Sequence, residues 1–468
     1  MHPFAIQLDD RAVAFAREGR ILSSAPSAIW DGSTGDPAGS NAWNALRRHP
    51  MATSTRHLGT LLSQPNASDR AVALIAAELV RRLAEHSPKP EERVWIATPA
   101  SASEHGLGAT LALTRKLALP VDGFVDAAVT AVAASGLERN AIVLEIGMHH
   151  AAATYIDRDG AQIRRRRTAI THRGGLVAFY QGWLELVSAT MVKRTRFDPL
   201  HDAATEQRLF DSLVSWARVA AAEGAVNAVL SKATERFEVA LTRDQFAQAG
   251  QSLHRDIVRL LHELRPAGAS VALVVPAIVD DLPGLRDELE QFVGCELVCI
   301  PDGFAAAATS RLDLPERADT EPVRLLRRLP VISVEDGVDG IAAKREMLSP
   351  RLDERRVGPS HLLLDGQVYA LGGEPLVIGR SPVGARTIAL SDGLAGVSRR
   401  HCTLTTENGE RVLLDHSTFG TYVNGERVAE RVQVSAGDRV RIGDPGVEFA
   451  LIAVDETSTG PAGSAASK

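Results

Sequence analysis

The stretch VSRRHCTLTTENGERVLLDHSTFGTYVNG (397–425) places two polar clusters, SRRH (398–401) and STFGT (417–421), on either side of a strand-like segment. Residues 402–415 alternate apolar and polar side chains, which is typical of half-buried β-strands. Turns that follow strands often carry binding residues, because the strands hold them in place. The stretch therefore predicts a small β domain whose turns present arginine and hydroxyl groups.

The rest of the C-terminal region has the same character. A third polar cluster, Gly379-Arg380-Ser381, follows the apolar segment PLVI. From His361 onward, short apolar segments alternate with turns, as in an all-β sandwich: HLLLDG, VYALGG, PLVIGR, HCTLTT, RVLLDH, TYVNG, RVRIGD and EFALIAV. Arginine donors match the acceptor oxygens of a phosphoryl group, so converging clusters would form a phosphate site. The alternative is that the arginines are solvated and the turns merely close hairpins.

The polar motifs occur in a definite order: Gly379-Arg380, SRRH (398–401), STFGT (417–421) and VNG (423–425). They resemble the motifs of the forkhead-associated (FHA) domain, a family that binds phosphothreonine. The resemblance covers residues 359–455. Phe419 stands where the family usually has an asparagine that bonds the ligand backbone.

The resemblance also implies a role for each motif residue. The residues that it implies for phosphopeptide binding are Arg380, Ser398, Arg399 and Thr418. Those that it implies for structural support are Gly379, His401, Gly420 and Asn424. The implied partner is a phosphothreonine-containing protein, such as a substrate of a Ser/Thr kinase.

The N-terminal region, residues 1–312, alternates strand-like and helical segments. The strand-like runs are VWIATPA (94–100), IVLEIGMHHAAATYID (142–157) and VALVVPA (271–277). Helical patterns occupy residues 68–86, 206–230 and 243–264. Such alternation predicts parallel β-α-β units.

Several passages of this region resemble the nucleotide-binding domain of DnaK-type heat-shock chaperones. They are VWIATPASASEHGLGATLALTRKLALPVDGFVDAAVTAVAAS (94–135), TAITHRGG (168–175), LSKATERFEVALTRDQF (230–246) and LRDELEQFVGCELVCIPDGFAAAATS (285–310). The resemblance implies a two-lobed α/β domain with the actin-like, or ribonuclease H-like, ATPase fold. The whole chain is then a multidomain protein in which this fold precedes the FHA sandwich.

The nucleotide site implied by this resemblance is degenerate. Where the family has Asp-x-Gly-Thr and Asp-x-Gly-Gly-Gly-Thr, this chain has QLDD (7–10) and EIGMHH (145–150). Phosphate cradles need glycine because backbone N–H groups must approach the oxygens closely. The residues at the degenerate site are Gln7, Glu145, Gly147, Gly174 and Gly175. We predict a pseudo-ATPase with no cofactor and no metal; ATP and Mg²⁺ binding without turnover, and a working ATPase, stay open.

The remaining segments and the composition complete the prediction. Residues 313–358 are charged and proline-punctuated, and we interpret them as a linker with one short helix near 341–348. The tail, residues 456–468, is predicted to be disordered. The net charge of −6 disfavours nucleic acid as a partner, and RRRR (164–167) is interpreted as a solvated strand.

No run of about 18 apolar residues and no targeting segment is visible, and the three cysteines form no metal or disulfide pattern. We expect a cytoplasmic protein without a membrane span. The function that follows is a phosphothreonine-dependent adaptor with a pseudo-ATPase chaperone-like domain in bacterial-type Ser/Thr kinase signalling or assembly. The alternatives are an ATP-gated chaperone-like ATPase recruited to phosphorylated clients, and an assembly subunit. The oligomeric state is open, and Thr320 is a candidate phosphosite within the chain.

Overall fold

The computed structural model describes residues 2–32, 38–63, 69–86, 92–265, 271–292, 295–318, 321–331, 344–348, 358–364, 367–391, 394, 396–407, 409–424, 426–443 and 446–453. These residues divide into two compact units, one formed within 1–265 and 270–350 and the other within 351–468. Three predicted features lie outside the described residues: Thr320, Gly425 and the tail 456–468. In the described part of the chain, no helix combines the length and apolar character that a membrane crossing requires.

The first unit mixes strands and helices. Its strands are β1 (Phe4–Leu8), β2 (Ala12–Arg17), β3 (Arg20–Pro26), β4 (Ile29–Trp30), β5 (Thr53–Ser54), β6 (Val94–Thr98), β7 (Val121–Asp126), β8 (Ala141–Ile146), β9 (Ala151–Asp159), β10 (Gln162–Thr171), β11 (Ala225–Lys232), β12 (Glu235–Thr242), β13 (Ala272–Pro276), β14 (Glu296–Ile300), β15 (Arg324–Leu326), β16 (Arg328–Pro330) and β17 (Lys344–Met347). Its helices are α1 (Ser40–Trp43), α2 (His57–Ser63), α3 (Asp69–His86), α4 (Glu104–Lys116), α5 (Ala127–Ala134), α6 (Leu176–Thr195), α7 (Ala203–Glu223), α8 (Arg243–Leu264), α9 (Leu285–Leu289) and α10 (Phe304–Thr309), with a 3-10 turn at Ala277–Asp281.

Two large sheets in this unit repeat one arrangement. The first has the order β15-β7-β6-β1-β2-β3, and the second has the order β16-β10-β9-β8-β13-β14-β17. In each sheet, three consecutive strands form an antiparallel meander, and the first strand of the meander pairs in parallel with the next strand of the order. That strand in turn pairs in parallel with the one after it. The prediction of an α/β region with parallel units is confirmed, whereas the two-lobed actin-like interpretation stays a prediction.

Short alanine-rich helices contact the strands of both sheets. Residues 127–133 of α5 are all buried, and this helix contacts β6 and β7 of the first sheet as well as β8, β9 and β10 of the second. The helix α10 packs on α5 and on β1 and β2, and all its residues are buried. Alanine side chains keep these contacts short, so the two sheets share one apolar core.

One predicted helix is shorter than its sequence pattern suggested. The pattern extended it over 206–230, but α7 ends at Glu223 and β11 begins at Ala225. Gly224 has φ 82°, a left-handed conformation that glycine adopts without steric cost and that commonly ends helices. The following residues then pair with β12 as a hairpin rather than continuing the apolar helical face.

The linker prediction for 313–358 was wrong for the parts of it that form strands. There β15 extends the first sheet, and β16 and β17 occupy the two edges of the second. The predicted helix near 341–348 is wrong for the described residues, because Lys344–Met347 is a strand paired with β14. The cause is that isolated apolar residues anchor the segment: Leu329 is buried, and Val323 and Leu325 pack on the first sheet's core.

The second unit is the predicted β-sandwich. Its strands are β18 (His361–Leu364), β19 (Gln367–Ala370), β20 (Leu376–Gly379), β21 (Arg386–Ala389), β22 (Cys402–Glu407), β23 (Glu410–Asp415), β24 (Thr421–Val423), β25 (Glu426–Arg427), β26 (Arg431–Gln433), β27 (Arg439–Ile442) and β28 (Val447–Ile452). They form sheets of order β19-β18-β28-β27-β24-β25 and β21-β20-β22-β23-β26. One cluster of buried side chains from both sheets, including Leu362, Ile378, Leu404 and Val440, forms the core.

We predict opposite effects for two alanine substitutions in α4. A Cβ added at Gly106 would overlap the carbonyl group of Leu62, whereas a Cβ added at Gly108 would meet nothing within 4 Å. We therefore expect Gly106→Ala to lower the free energy of unfolding by about 1–3 kcal/mol through overpacking. Gly108→Ala should raise it by up to about 1 kcal/mol through helix propensity.

Denaturation followed by tryptophan fluorescence measures this, because all five tryptophans (Trp30, Trp43, Trp95, Trp183 and Trp216) belong to the first unit. Equal midpoints for the two variants would contradict the packing of α4 on α2.

Candidate functional site

The three polar turns of the second unit meet at Ser398. The backbone N–H of Arg380 donates to the Ser398 carbonyl at 3.1 Å, and the N–H of Ser381 donates to the Arg399 carbonyl at 3.0 Å. From the third turn, the N–H of Thr418 donates to Ser398 Oγ at 3.2 Å. The turns after β20, before β22 and after β23 are thus joined by hydrogen bonds.

Gly379 allows the first two turns to approach this closely. It is the last residue of β20, and a Cβ added to it would overlap the Arg399 carbonyl. Any side chain at position 379 would push apart the turns that carry Arg380 and Ser398. The absence of a side chain at position 379 therefore permits this close approach, and the supporting role that the motif implied for Gly379 stays a prediction.

His401 braces two of the turns from inside. Its ring is fully buried; Nδ1 accepts the N–H of Ser398 at 3.0 Å, and Nε2 donates to the Gly420 carbonyl at 3.2 Å. Burial lowers the pKa of His401, although the Gly420 carbonyl and the charge of Asp415 act in the opposite direction. The ring is therefore neutral at neutral pH, with its proton on Nε2.

Asp415 organises the third turn, and sequence reasoning missed it. Its Oδ1 accepts the N–H of Ser417 at 3.0 Å and the hydroxyl of Thr421 at 2.7 Å, and Ser417 Oγ accepts the N–H of Gly420 at 2.7 Å. Burial alone would raise the pKa of Asp415, but these hydrogen bonds outweigh it and lower the pKa. The signal was available, since an aspartate two residues before a turn residue commonly bonds its backbone.

Asn424 supports a neighbouring turn rather than the site itself. It has φ 51°, which asparagine tolerates better than most residues. Its side chain donates to Asp438 at 2.8 Å and accepts the N–H of Arg439 at 2.9 Å. The Asn424 side chain therefore holds the residues at the start of β27 in place.

The exposed surface of the joined turns is cationic. Arg380 and Arg399 are exposed, and within the described residues neither guanidinium group makes a hydrogen bond or an ion pair. Ser398, which directly precedes Arg399 in the chain, is half-buried and provides a hydroxyl group. Phe419, with 61% of its surface exposed, lies beside Thr418 in the chain. Unpaired guanidinium groups next to a fixed hydroxyl can bind an oxyanion with charge-assisted hydrogen bonds.

Comparison with known proteins agrees with this geometry. A family model of the FHA domain matches residues 376–443, which contain all three turns. The chain belongs to the FHA domain-containing proteins, a class whose FHA domain implies phosphothreonine-dependent protein interaction. It is similar to the FHA domain-containing protein FhaB of Mycolicibacterium smegmatis, with 33% identity over 112 residues, 23% of this chain and 70% of that protein.

In the first unit, the residues predicted for a degenerate nucleotide site bond to the chain itself. Gln7 Oε1 accepts the N–H of Ala306 at 3.3 Å, and the Glu145 carboxylate accepts the N–H of Ala100 at 3.2 Å. Burial and then the charges of Asp126 and Asp9 raise the pKa of Glu145 to about 8. A small cleft of about 50 Å³ next to these residues is lined by Gln7, Asp9 and Glu145 and by several alanines.

The glycines predicted at this site also serve close contacts within the chain. A Cβ at Gly147 would overlap a carboxylate oxygen of Asp10, and a Cβ at Gly175 would overlap the Met148 carbonyl. A Cβ at Gly174 would come within 3.0 Å of Thr171 Cγ2. Their presence is thus explained without a bound phosphate.

The stability of the second unit should fall as the pH is lowered. In the folded protein the pKa of His401 is lower than the ordinary value of 6.5, which applies to the unfolded chain. At a pH between the folded and unfolded pKa values, the proton therefore binds to His401 mainly in the unfolded chain. The stabilisation is therefore complete above about pH 6.5 and is lost as the pH falls towards the folded pKa. His416, whose pKa is also lowered, acts in the same direction.

Amide exchange of peptides within 398–424, corrected for intrinsic rates, measures this in the full chain. His401→Gln should lose about 1–3 kcal/mol of protection at pH 7.5, because buried groups lose their partner. It should also show a weaker pH dependence than the unchanged protein. An unchanged pH dependence would exclude His401 as its source.

Proposed function

We propose that this protein is a phosphothreonine-dependent adaptor whose first unit is a non-catalytic, actin-like scaffold. The observation that carries the proposal is the junction at Ser398, where three turns leave Arg380 and Arg399 exposed and unpaired within the described residues. A phosphoryl group has charge and acceptor oxygens to match. The partner is a phosphothreonine-containing protein, such as a Ser/Thr kinase substrate, and we assign the protein to the cytoplasm.

The bonding of the motif residues supports specific roles for them. In the proposal Arg380 and Arg399 supply the charge, and Ser398 and Thr418 supply hydroxyl donors. Phe419 offers an exposed ring where an amide would otherwise contact the ligand backbone. We therefore propose that the residues flanking the phosphothreonine are recognised by apolar contact more than by hydrogen bonds.

The repeated strand order of the two large sheets supports an actin-like first unit. Its cleft supports a non-catalytic role, since the Asp9 carboxylate lines the cleft and would face a triphosphate with like charge. An ATP-gated chaperone-like ATPase recruited to phosphorylated clients is the second candidate, because a cleft lined by Gln7, Asp9 and Glu145 remains at the predicted nucleotide site.

Arg380→Ala in the full-length protein should weaken phosphothreonine-peptide binding by about 10- to 150-fold, the equivalent of one charge-assisted bond of about 1.5–3 kcal/mol. A phosphothreonine-peptide library, with the same peptides unphosphorylated, measures the loss. The matched control is Arg431→Ala, which removes an exposed arginine that pairs with Glu407 on β22. Undiminished preference of Arg380→Ala for phosphorylated peptides would refute the assigned site.

Calorimetry of the full-length protein with ATP and Mg²⁺ separates the two candidates. We expect no binding heat and no phosphate release, because carboxylates line the cleft and side chains fill the turns. Binding with turnover would favour the ATP-gated candidate. Binding without turnover would show that the first unit takes nucleotide and would refute a nucleotide-free scaffold.

A further inference from the structure

Asp10 connects the two large sheets of the first unit. It lies in the turn between β1 and β2 and is 2% exposed. Its Oδ1 accepts the N–H of Met148 at 2.9 Å, and its Oδ2 accepts the N–H of His149 at 3.2 Å. His150 Nδ1 lies 3.2 Å from the same Oδ2. Three donors from the β8–β9 turn therefore surround one carboxylate.

The β8–β9 turn has the form of an anion-binding site. The N–H of Gly147 closes the turn on the His150 carbonyl at 2.9 Å, which leaves the next two N–H groups pointing at the anion. Successive backbone N–H groups in a turn form a concavity that binds oxyanions. Gly147 is needed there because a Cβ would overlap Asp10 Oδ1. The turn is thus shaped for the anion that fills it.

The charges around the turn favour the ionised form of the Asp10 carboxylate. Burial alone would lower the pKa of His150, but its hydrogen bond to Asp10 and the charge of that residue raise it. Burial would raise the pKa of Asp10, but His150 and the two backbone donors lower it. The Asp10 carboxylate and the His150 imidazolium stabilise each other in a largely buried site, where their side chains are 2% and 12% exposed. Asp9, whose pKa burial raises to about 6, and Glu145 also face this region.

We propose that the β8–β9 turn is an oxyanion-binding site that the chain fills with its own Asp10 carboxylate, which joins the two sheets without any phosphate ligand. This inference rests on the proposed function and deepens it, because the Asp10 contact would keep the two sheets of the first unit in one arrangement without nucleotide. The ligand class of the vacated turn is a phosphoryl group or inorganic phosphate.

A tethered carboxylate has two advantages over a free phosphate at this turn. Its effective concentration is on the order of millimolar or higher, because a short segment attaches it to the same unit. It also brings a single charge, whereas a phosphate would bring nearly two beside the Asp9 carboxylate. In the proposal, the β8–β9 turn therefore does not bind and release a phosphate, and no motion of the unit is coupled to such exchange. The turn keeps its contact with Asp10 instead.

The test uses inorganic phosphate and the full chain carrying Arg380→Ala, which weakens the phosphate affinity proposed for the second unit. In that background we compare Asp10→Ala with Asp9→Ala. The control removes the same charge one residue away, and the side chain of Asp9 accepts only the N–H of Arg11 among the described residues. Two readouts are local: tryptophan fluorescence for the first unit, and amide exchange of peptides that cover 147–150.

Asp10→Ala should unfold at a lower temperature and regain stability with phosphate but not with chloride at equal ionic strength. Its 147–150 amides should become protected by phosphate, and its phosphate affinity should exceed that of Asp9→Ala by about tenfold or more. A folded Asp10→Ala without any phosphate effect at 147–150 would overturn the proposal. Equal phosphate protection in the Arg380→Ala parent would overturn it as well, because Asp10 would then not fill the turn.

Asp10→Asn covers the case in which Asp10→Ala does not fold. Its neutral side chain fills the same space, so we expect faster exchange at 148–149 and no response to phosphate. Exchange there as slow as in the parent would overturn the proposal. These readouts are confined to the first unit, so a failure of phosphopeptide capture would refute the adaptor function without changing this result.

Discussion

The candidate site of the second unit depends on the three hydrogen bonds of Ser398. Its carbonyl holds the Arg380 turn, its N–H is held by His401, and its hydroxyl accepts the N–H of Thr418. The first and third bonds join Ser398 to turns elsewhere in the chain, so the turns that carry the surface arginines are held by backbone N–H groups rather than by the arginine side chains. The guanidinium groups are therefore available for a ligand while the loops that carry them are fixed.

The two units differ in whether the groups that could bind an anion already have a partner within the chain. In the second unit the polar turns leave Arg380 and Arg399 without a partner among the described residues, which suits an external oxyanion. In the first unit the β8–β9 turn donates its N–H groups to Asp10, and the nearby Asp126 caps α5 and pairs with Arg165 at 2.8 Å. These particular donor groups of the first unit are thus satisfied by carboxylates of the same unit. This difference is the physical basis for proposing a binding module joined to a scaffold.

Sequence patterns succeeded where the physical cause was local or regular. The helix pattern over 243–264 matches α8 residue for residue, because a Thr242 capping box starts it and a strong apolar stripe defines it. They failed for 206–230, where Gly224 reverses the chain, and for 313–358, where strands of three or four residues join existing sheets. Such short strands have little periodicity of their own, since their stability comes from the neighbouring strand. The actin-like interpretation and the roles of individual site residues remain predictions.

By itself, the sequence determined the β-sandwich, its order of motifs and the residues on its turns, because glycine, asparagine and hydroxyl side chains act on the backbone within a few positions. It also indicated that the β1–β2 and β8–β9 turns are unsuited to a triphosphate. Only the tertiary structure decided that Asp10 bonds to Met148, 138 positions away, and that Arg380, Ser398 and Thr418 share one junction. Contacts of that kind depend on how strands pair across the whole unit, and no local pattern encodes the partner of a buried carboxylate.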